Sequence, residues 1–140
     1  MGEILELTAS DGHTFSAYKA APQGTPKGGI VVIQEIFGVN EHIREVTDSF
    51  AAEGYLAIAP ALFDRAERGV ELGYGPDDRE KGMETRAKVE WDDAVKDTIA
   101  AREAVASAGK VGIVGYCYGG TIAWLGACKG GFDAASGYYG

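Results

Sequence analysis

The sequence is poor in the residues that build disulfide and metal scaffolds. It holds 2 cysteines and 2 histidines among 140 residues. Neither cysteine stands in a CxxC pair or in a Cys/His group with zinc spacing. We therefore expect no structural metal and no bound cofactor.

Positive charge and long apolar runs are also scarce. There are 13 Lys and Arg against 21 Asp and Glu, a net charge of −8, which disfavours nucleic acid and anionic membrane surfaces as partners. The apolar runs are of strand length, shorter than the roughly 20 residues of a membrane span. The first ten residues include acidic side chains and do not resemble a secretory signal. We expect a cytoplasmic protein.

What is present fits one globular domain over residues 1–140, since 46% of the residues are hydrophobic. Short β-branched runs alternate with helical patterns, which predicts an α/β fold with a mostly parallel sheet and right-handed crossovers. Residues 64–90 are highly charged and contain several glycines, so we interpret them as an excursion with a weak helix. The predicted strands are residues 4–7, 14–20, 29–33, 55–59, 111–114 and 133–138, and the better helices are residues 41–53, 92–108 and 118–128.

Residues 115–120, Gly-Tyr-Cys-Tyr-Gly-Gly, lie between a predicted buried strand and a predicted helix. This pattern is typical of a nucleophile elbow, with Cys117 as nucleophile and the backbone N–H of Tyr118 as an oxyanion-hole donor. The helix N-terminus behind Cys117 favours a thiolate. The alternative is a small buried cysteine. A dinucleotide site is disfavoured because the glycine spacing is not G-x-G-x-x-G.

Four segments resemble successive blocks of the dienelactone hydrolase family. They are Gln-Glu-Ile-Phe-Gly at 34–38, Ala-Pro-Ala-Leu-Phe at 59–63, Gly-Ile-Val-Gly-Tyr-Cys-Tyr-Gly-Gly at 112–120 and Gly-Tyr-Tyr-Gly at 137–140. The resemblance implies a three-layer α/β-hydrolase sheet with flanking helices, and Cys117 as the nucleophile. It also implies a carboxymethylenebutenolidase-like hydrolase whose substrate is a small lactone or ester.

The resemblance assigns further roles near the first central strand. Glu35 would contact the resting cysteine and help to convert it to the thiolate, and Ile36 would supply the second oxyanion-hole N–H. Glu35 also follows a strand at the edge where open α/β sheets place their ligands. A solvated loop glutamate is the alternative.

The family binds the carboxylate of an anionic substrate with arginine, a role for which Arg79 and Arg86 lie in the right part of the chain, with Arg79 slightly favoured. Surface arginines in a charged run are the alternative. The aromatic residues Phe37, Tyr116, Tyr118 and Trp124 could line a pocket, although packing explains such residues equally well.

The sequence departs from the family after the nucleophile. No histidine follows Cys117, whereas α/β-hydrolases place an acid and then a histidine there. Asp133 begins a strand, a poor location for that acid. We therefore expect a chain truncated before the last two strands, without the triad Asp and His, and with an exposed sheet edge that promotes self-association.

The other residues with reactive side chains carry weaker expectations. His13 and His42 are expected to be structural or exposed, and Cys128 a small core residue. Two other functions stay open at this point. One is a non-catalytic interaction module that uses the sheet edge, and the other is a redox-active thiol protein that uses Cys117.

Overall fold

The computed structural model describes residues 2–140. Within that range the chain forms one six-stranded sheet and four α-helices. The elements are β1 Glu3–Thr8, β2 Thr14–Ala20, β3 Gly29–Ile33, α1 Glu41–Ala52, β4 Leu56–Pro60, α2 Pro76–Ala87, α3 Trp91–Ala104, β5 Val111–Tyr116, α4 Tyr118–Lys129 and β6 Ala134–Tyr138. Across the sheet the strand order is β1-β2-β4-β3-β5-β6.

The chain opens with the predicted hairpin. Strands β1 and β2 are antiparallel, with Glu3 opposite Lys19 and Thr8 opposite Thr14. Gly12 in the connecting turn has φ of 87°, a conformation that glycine adopts without steric cost. The hairpin joins the rest of the sheet because β2 also pairs antiparallel with β4.

The centre of the sheet is parallel, as the β-branched runs predict. Strand β3 lies between β4 and β5 and runs parallel to both, and β6 runs parallel to β5. Val31, Val32 and Ile33 of β3 are fully buried. Successive side chains of a strand point to opposite faces, so this strand is covered on both sides.

Helices cover the two faces of the sheet and give three layers. On one face, Ile43 and Ala51 of α1 pack with Val32 and Val114. On the other face, residues of α3 and α4 join a second core that includes alternate residues of the central strands. That second core contains Val31, Ile33, Ile113, Ala94, Ala101, Val105, Ile122 and Ala123.

The segment 64–90 is more ordered than its composition suggests. It contains part of a 3₁₀ turn, Leu62–Arg65, and the twelve-residue helix α2. Pro76 opens α2 at a position where its missing N–H carries no penalty. Gly82 and Thr85 of this helix are buried. The expected weak helix therefore packs closely on the domain.

The expectation that Cys128 is a core residue is wrong, because its side chain is exposed. The buried residues of α4 include Tyr118, Ile122 and Gly126, which lie on one face at 100° per residue. Cys128 falls on the opposite face. So does Trp124, whose side chain is 72% exposed.

Strand β6 pairs with β5 on one side, and within residues 2–140 no strand pairs with its other side. All five of its residues are exposed. Self-association through this edge stays a prediction.

Candidate active site

Cys117 occupies a sharp turn between β5 and α4. Its φ of 58° and ψ of −119° lie outside the usual regions for a residue with a side chain. A Cβ on Gly115 would collide with the carbonyl oxygen of Gly119, and a Cβ on Gly119 would collide with the carbonyl oxygens of Gln34 and Ile33. Glycine at both positions therefore permits the strand, the turn and the helix to approach each other this closely.

The turn is also held from the neighbouring strand. The backbone N–H of Cys117 donates to the carbonyl oxygen of Tyr138 at 2.8 Å, and the N–H of Gly120 donates to that of Cys117 at 2.8 Å. The Cys117 side chain is half-buried. Because Tyr118 is the first residue of α4, its N–H has no partner one turn back in the helix.

Glu35 and Cys117 follow the same end of two adjacent strands, as the strand register shows. Ile33 of β3 pairs with Gly115 of β5. Glu35 stands two residues after Ile33, and Cys117 stands two residues after Gly115. The Glu35 residue is only 9% exposed. Gln34 fixes its backbone, since Nε2 of Gln34 donates to the Glu35 carbonyl at 3.0 Å while Oε1 of Gln34 accepts from the N–H of Leu62 at 3.0 Å.

Two tyrosines border the Glu35 carboxylate. The Tyr74 hydroxyl donates to Oε1 of Glu35 at 2.7 Å. Loss of hydration, followed by this hydrogen bond to the carboxylate, raises the pKa of Tyr74 to about 12. The pKa of Tyr139 is raised as well, first by loss of hydration and then by the charges of Glu35 and Cys117. Tyr139 therefore lies close to both.

The segment that carries Tyr74 is anchored to the start of α1. Asn40 caps α1 by accepting from the N–H of Ile43 at 3.2 Å. Its Nδ2 donates to the carbonyl of Leu72 at 3.0 Å and to the Tyr74 hydroxyl at 3.3 Å. The ring of Tyr74 also meets that of Phe37 edge-on, with centroids 4.5 Å apart. Phe37 thus packs beside the tyrosine that bonds Glu35, and its contact with a substrate stays a prediction.

Helix α2 brings both candidate arginines to this side of the molecule. A Cβ on Gly82 would collide with the carbonyl oxygen of Ile36, so α2 lies directly against the residue after Glu35. Arg79 and Arg86 stand three residues before and four after Gly82, on the same helix face. Arg79 is exposed, whereas the half-buried Arg86 guanidinium lies 5.7 Å from the centre of the Trp91 ring.

Tyr118 is part of the core. It is 5% exposed and packs between the rings of Phe63 and Trp91, each at 5.6 Å. Its hydroxyl has no hydrogen-bond partner within residues 2–140. Burial raises its pKa, and the charge of Arg86 opposes that shift.

Asp133 and His13 lie away from this site, whereas the ring of His42 lies 6.4 Å from that of Tyr74. Oδ2 of Asp133 accepts from the N–H of Val111 at 2.8 Å, at the end of β5 opposite to Cys117. His42 is exposed and His13 is half-buried, with its ring stacked on Phe15 at 5.8 Å. Across residues 2–140, no group of three or more His, Cys, Asp or Glu is arranged to hold a metal ion. Over the same residues, no helix has the length and apolar character to cross a bilayer.

The layers, the strand order and the left-handed residue between β5 and α4 define an α/β-hydrolase fold. A Klebsiella pneumoniae protein assigned as a dienelactone hydrolase has a similar crystal structure, with a TM-score of 0.71 at 35% identity over 91% of this chain and 55% of that one. The model of the dienelactone hydrolase family matches residues 15–140. The chain belongs to the dienelactone hydrolase family.

Curated relatives agree with this assignment. The chain is 41% identical to a carboxymethylenebutenolidase of Pseudomonas putida, over 99% of this chain and 61% of that protein. It is 32% identical to carboxymethylenebutenolidase 1 of Cupriavidus pinatubonensis, over 100% of this chain and 62% of that protein. The chain thus spans about three fifths of the length of these relatives.

Sequence reasoning missed Tyr74 and Asn40. Tyr74 stands between two glycines in a charged segment, and its place beside Glu35 depends on how residues 71–75 fold back over the end of β3. The one available signal was an isolated aromatic residue in a polar stretch.

Proposed function

We propose that this protein is a dienelactone hydrolase-like enzyme that cleaves a small lactone or ester, with Cys117 as its nucleophile. The observation that carries the proposal is the left-handed Cys117 at the junction of β5 and α4, with the Glu35 carboxylate at the same end of the adjacent strand. A residue of positive φ between a strand and a helix, flanked by glycines, is what a nucleophile elbow requires, and this supports the proposal. The names of the curated relatives support the reaction class.

In the first step Glu35 takes the proton of the Cys117 thiol. The thiolate Sγ attacks the substrate carbonyl carbon, and the carbonyl oxygen becomes an oxyanion. The C–O bond of the lactone or ester then breaks, which leaves a thioester on Cys117 and an enolate or alkoxide as the leaving group. The N-terminus of α4 stabilises negative charge on the sulfur.

The oxyanion would be stabilised by the backbone N–H groups of Tyr118 and Ile36. Tyr118 begins α4, where the helix leaves its first amides without internal partners. Ile36 is buried directly after Glu35. Donors of this kind, held rigid in advance, commonly contribute about 10²- to 10³-fold to acyl transfer.

We propose that the substrate is anionic and that Arg79 binds its carboxylate. Both arginines lie on the α2 face that carries Gly82, and Gly82 itself lies against the carbonyl oxygen of Ile36. Arg86 is engaged with the ring of Trp91, whereas the exposed Arg79 is free to reorient toward a ligand. A guanidinium binds a carboxylate through two parallel hydrogen bonds.

The second step, hydrolysis of the thioester, needs a base for water. The proton that Glu35 took from the thiol is the one available to an alkoxide leaving group in the first step. No histidine follows Cys117 in this sequence, and Asp133 lies at the other end of β5. General acid–base transfer is worth about 10²- to 10⁴-fold. For the chain of residues 1–140 we therefore expect acylation by esters with good leaving groups to outpace turnover of lactones.

The test uses p-nitrophenyl acetate, whose leaving group departs without a proton. We expect a burst of p-nitrophenolate and an acetyl adduct on Cys117 by mass spectrometry. Cys117→Ala should abolish both, while Cys128→Ala, which removes the exposed cysteine, should leave both intact. An adduct confined to Cys128, or a burst that survives in Cys117→Ala, would disprove the assignment of the nucleophile.

A further inference from the structure

We propose that Tyr74 is a positioning residue that holds the Glu35 carboxylate in place beside Cys117. The inference rests on the proposed role of Cys117 and Glu35 and adds a residue that contacts neither substrate nor sulfur. It is carried by the hydrogen bond from the Tyr74 hydroxyl to Oε1 of Glu35, at 2.7 Å.

Neighbouring residues hold the Tyr74 side chain in place, although 57% of its surface is exposed. Its ring packs edge-on against Phe37 at 4.5 Å, and Nδ2 of Asn40 donates to its hydroxyl oxygen at 3.3 Å. The hydroxyl therefore accepts from Asn40 while it donates to Glu35. This chain fixes the direction of the O–H bond, since the lone pair that faces Asn40 is already used.

The backbone around Tyr74 is tied to the residues that follow Glu35. The N–H of Leu72 donates to the carbonyl of Phe37 at 2.9 Å, and Glu71 forms an isolated bridge with Gly38. Asn40 holds the carbonyl of Leu72 as well. Tyr74 is thus fixed to the same loop that positions Glu35, and not merely placed near it.

The hydrogen bond that Tyr74 donates changes the electrostatic effect of the Glu35 carboxylate on Cys117. The donor partly neutralises the charge that Glu35 presents to Cys117 and keeps the carboxylate from turning freely. Without the hydroxyl, and with no substrate bound, the full negative charge would act on the sulfur and raise the pH at which solvent removes the thiol proton. The transfer of that proton to Glu35, proposed above for catalysis, is a separate step that occurs with substrate bound. The other titratable groups around this pair are Tyr139, which lies near both Glu35 and Cys117, and His42, whose ring lies 6.4 Å from that of Tyr74.

The experiment measures the rate of Cys117 alkylation by iodoacetamide as a function of pH. All variants carry Cys128→Ser, because the exposed Cys128 would otherwise react too. Tyr74→Phe removes the hydroxyl and keeps the ring against Phe37. We expect it to move the midpoint of the curve upward by about half a pH unit, a roughly threefold smaller thiolate fraction below the midpoint.

Three further variants make the result specific. Glu35→Gln removes the charge and should move the midpoint downward, and adding Tyr74→Phe to Glu35→Gln should then change nothing more. Tyr55→Phe is the matched control, since Tyr55 lies under the Lys27 ammonium at 5.8 Å, before β4. It should leave the curve unchanged.

The proposal is overturned if Tyr74→Phe leaves the midpoint in place, or if it shifts the midpoint equally with and without Glu35. These outcomes are independent of the ester assay. If Cys117 forms no acetyl adduct but the midpoints move as expected, the proposed function fails and the assignment of Tyr74 stands. If the adduct forms and the midpoints do not move, the proposed function stands and the assignment of Tyr74 fails.

Discussion

The guanidinium of Arg65 donates two hydrogen bonds to the fully buried carboxylate of Asp97, from Nη2 to Oδ1 at 2.8 Å and from Nε to Oδ2 at 3.0 Å. The same guanidinium also binds Asp11 in the first hairpin, at 2.9 and 3.1 Å. Arg65 follows β4 and Asp97 lies on α3, so one side chain joins three parts of the fold.

We expect Arg65→Met to lower the free energy of unfolding by about 3–5 kcal/mol, because it leaves a buried charge without its partner. Urea denaturation measures the change. Lys81→Met, which breaks an exposed pair with Glu67 at 2.8 Å, should cost less than about 1 kcal/mol. If Arg65→Met and Lys81→Met proved equally mild, the carboxylate of Asp97 would have to be neutral in the folded protein.

The Asp11 carboxyl gives the stability a defined pH dependence. The hydrogen bond from Arg65 is the main influence, and it holds the pKa of Asp11 well below its ordinary value of 3.8. The unfolded chain then binds more protons than the native one, so this contribution is present above pH 3.8 and is lost as the pH falls below it. Asp11→Asn should flatten the acid limb of the stability curve.

Asp97 gives the stability the opposite pH dependence. Burial raises its pKa above the ordinary value, and the hydrogen bonds and charge of Arg65 offset only part of that increase. Its contribution therefore grows as the pH falls toward 3.8. Denaturation midpoints of wild type and Asp11→Asn, measured between pH 2 and 6, separate the two groups. A wild-type curve with no acid limb would contradict the role of Asp11.

Gly119 is predicted to be intolerant of any side chain. A Cβ there would overlap the carbonyl oxygens of Gln34 and Ile33. Both are backbone atoms at the end of a central strand, and moving them would disturb the sheet. Gly119→Ala should destabilise the protein by about 1–3 kcal/mol or more and slow acylation of Cys117.

Gly126→Ala on the same helix is the matched control. Its Cβ would meet the side chains of Ile113 and Phe132 at 3.2 and 3.3 Å, and the gain in helix propensity of up to about 1 kcal/mol offsets that crowding. Equal losses of stability in the two variants would show that the close backbone approach at Gly119 does not determine the stability of the fold.

Tyr118→Phe is expected to stabilise the protein. The Tyr118 hydroxyl is buried without a partner in residues 2–140, and an unsatisfied buried group costs about 1–3 kcal/mol. The proposed oxyanion donor is the backbone N–H of this residue, so the burst with p-nitrophenyl acetate should be unaffected. A variant that is less stable than wild type, or that loses the burst, would assign a role to the hydroxyl.

Much of the fold could be predicted because local signals agree with tertiary ones. The run Gly29–Ile33 is apolar throughout and forms a strand buried on both faces. The turn at Cys117 is flanked by glycines whose missing side chains permit its geometry. In both cases the residues that specify the structure are adjacent in sequence.

The rest depends on contacts between distant residues. Tyr74 and Glu35 are 39 positions apart, and Arg65 and Asp97 are 32 apart, so no spacing rule connects them. Cys128 was misassigned for a different reason. Cysteine is commonly buried, but the face of α4 that meets the sheet is set by Tyr118, Ile122 and Gly126.

The hydrogen bond from Cys117 N–H to the carbonyl of Tyr138 links the turn at Cys117 to the most exposed strand of the sheet. Exposed elements with few buried contacts open locally at a lower free energy than the core. Fraying of β6 would therefore loosen the backbone of Cys117 without any change in the central strands. Amide hydrogen exchange at Cys117 should follow the opening of β6 and not global unfolding, so the backbone of this turn reports on the dynamics of that strand.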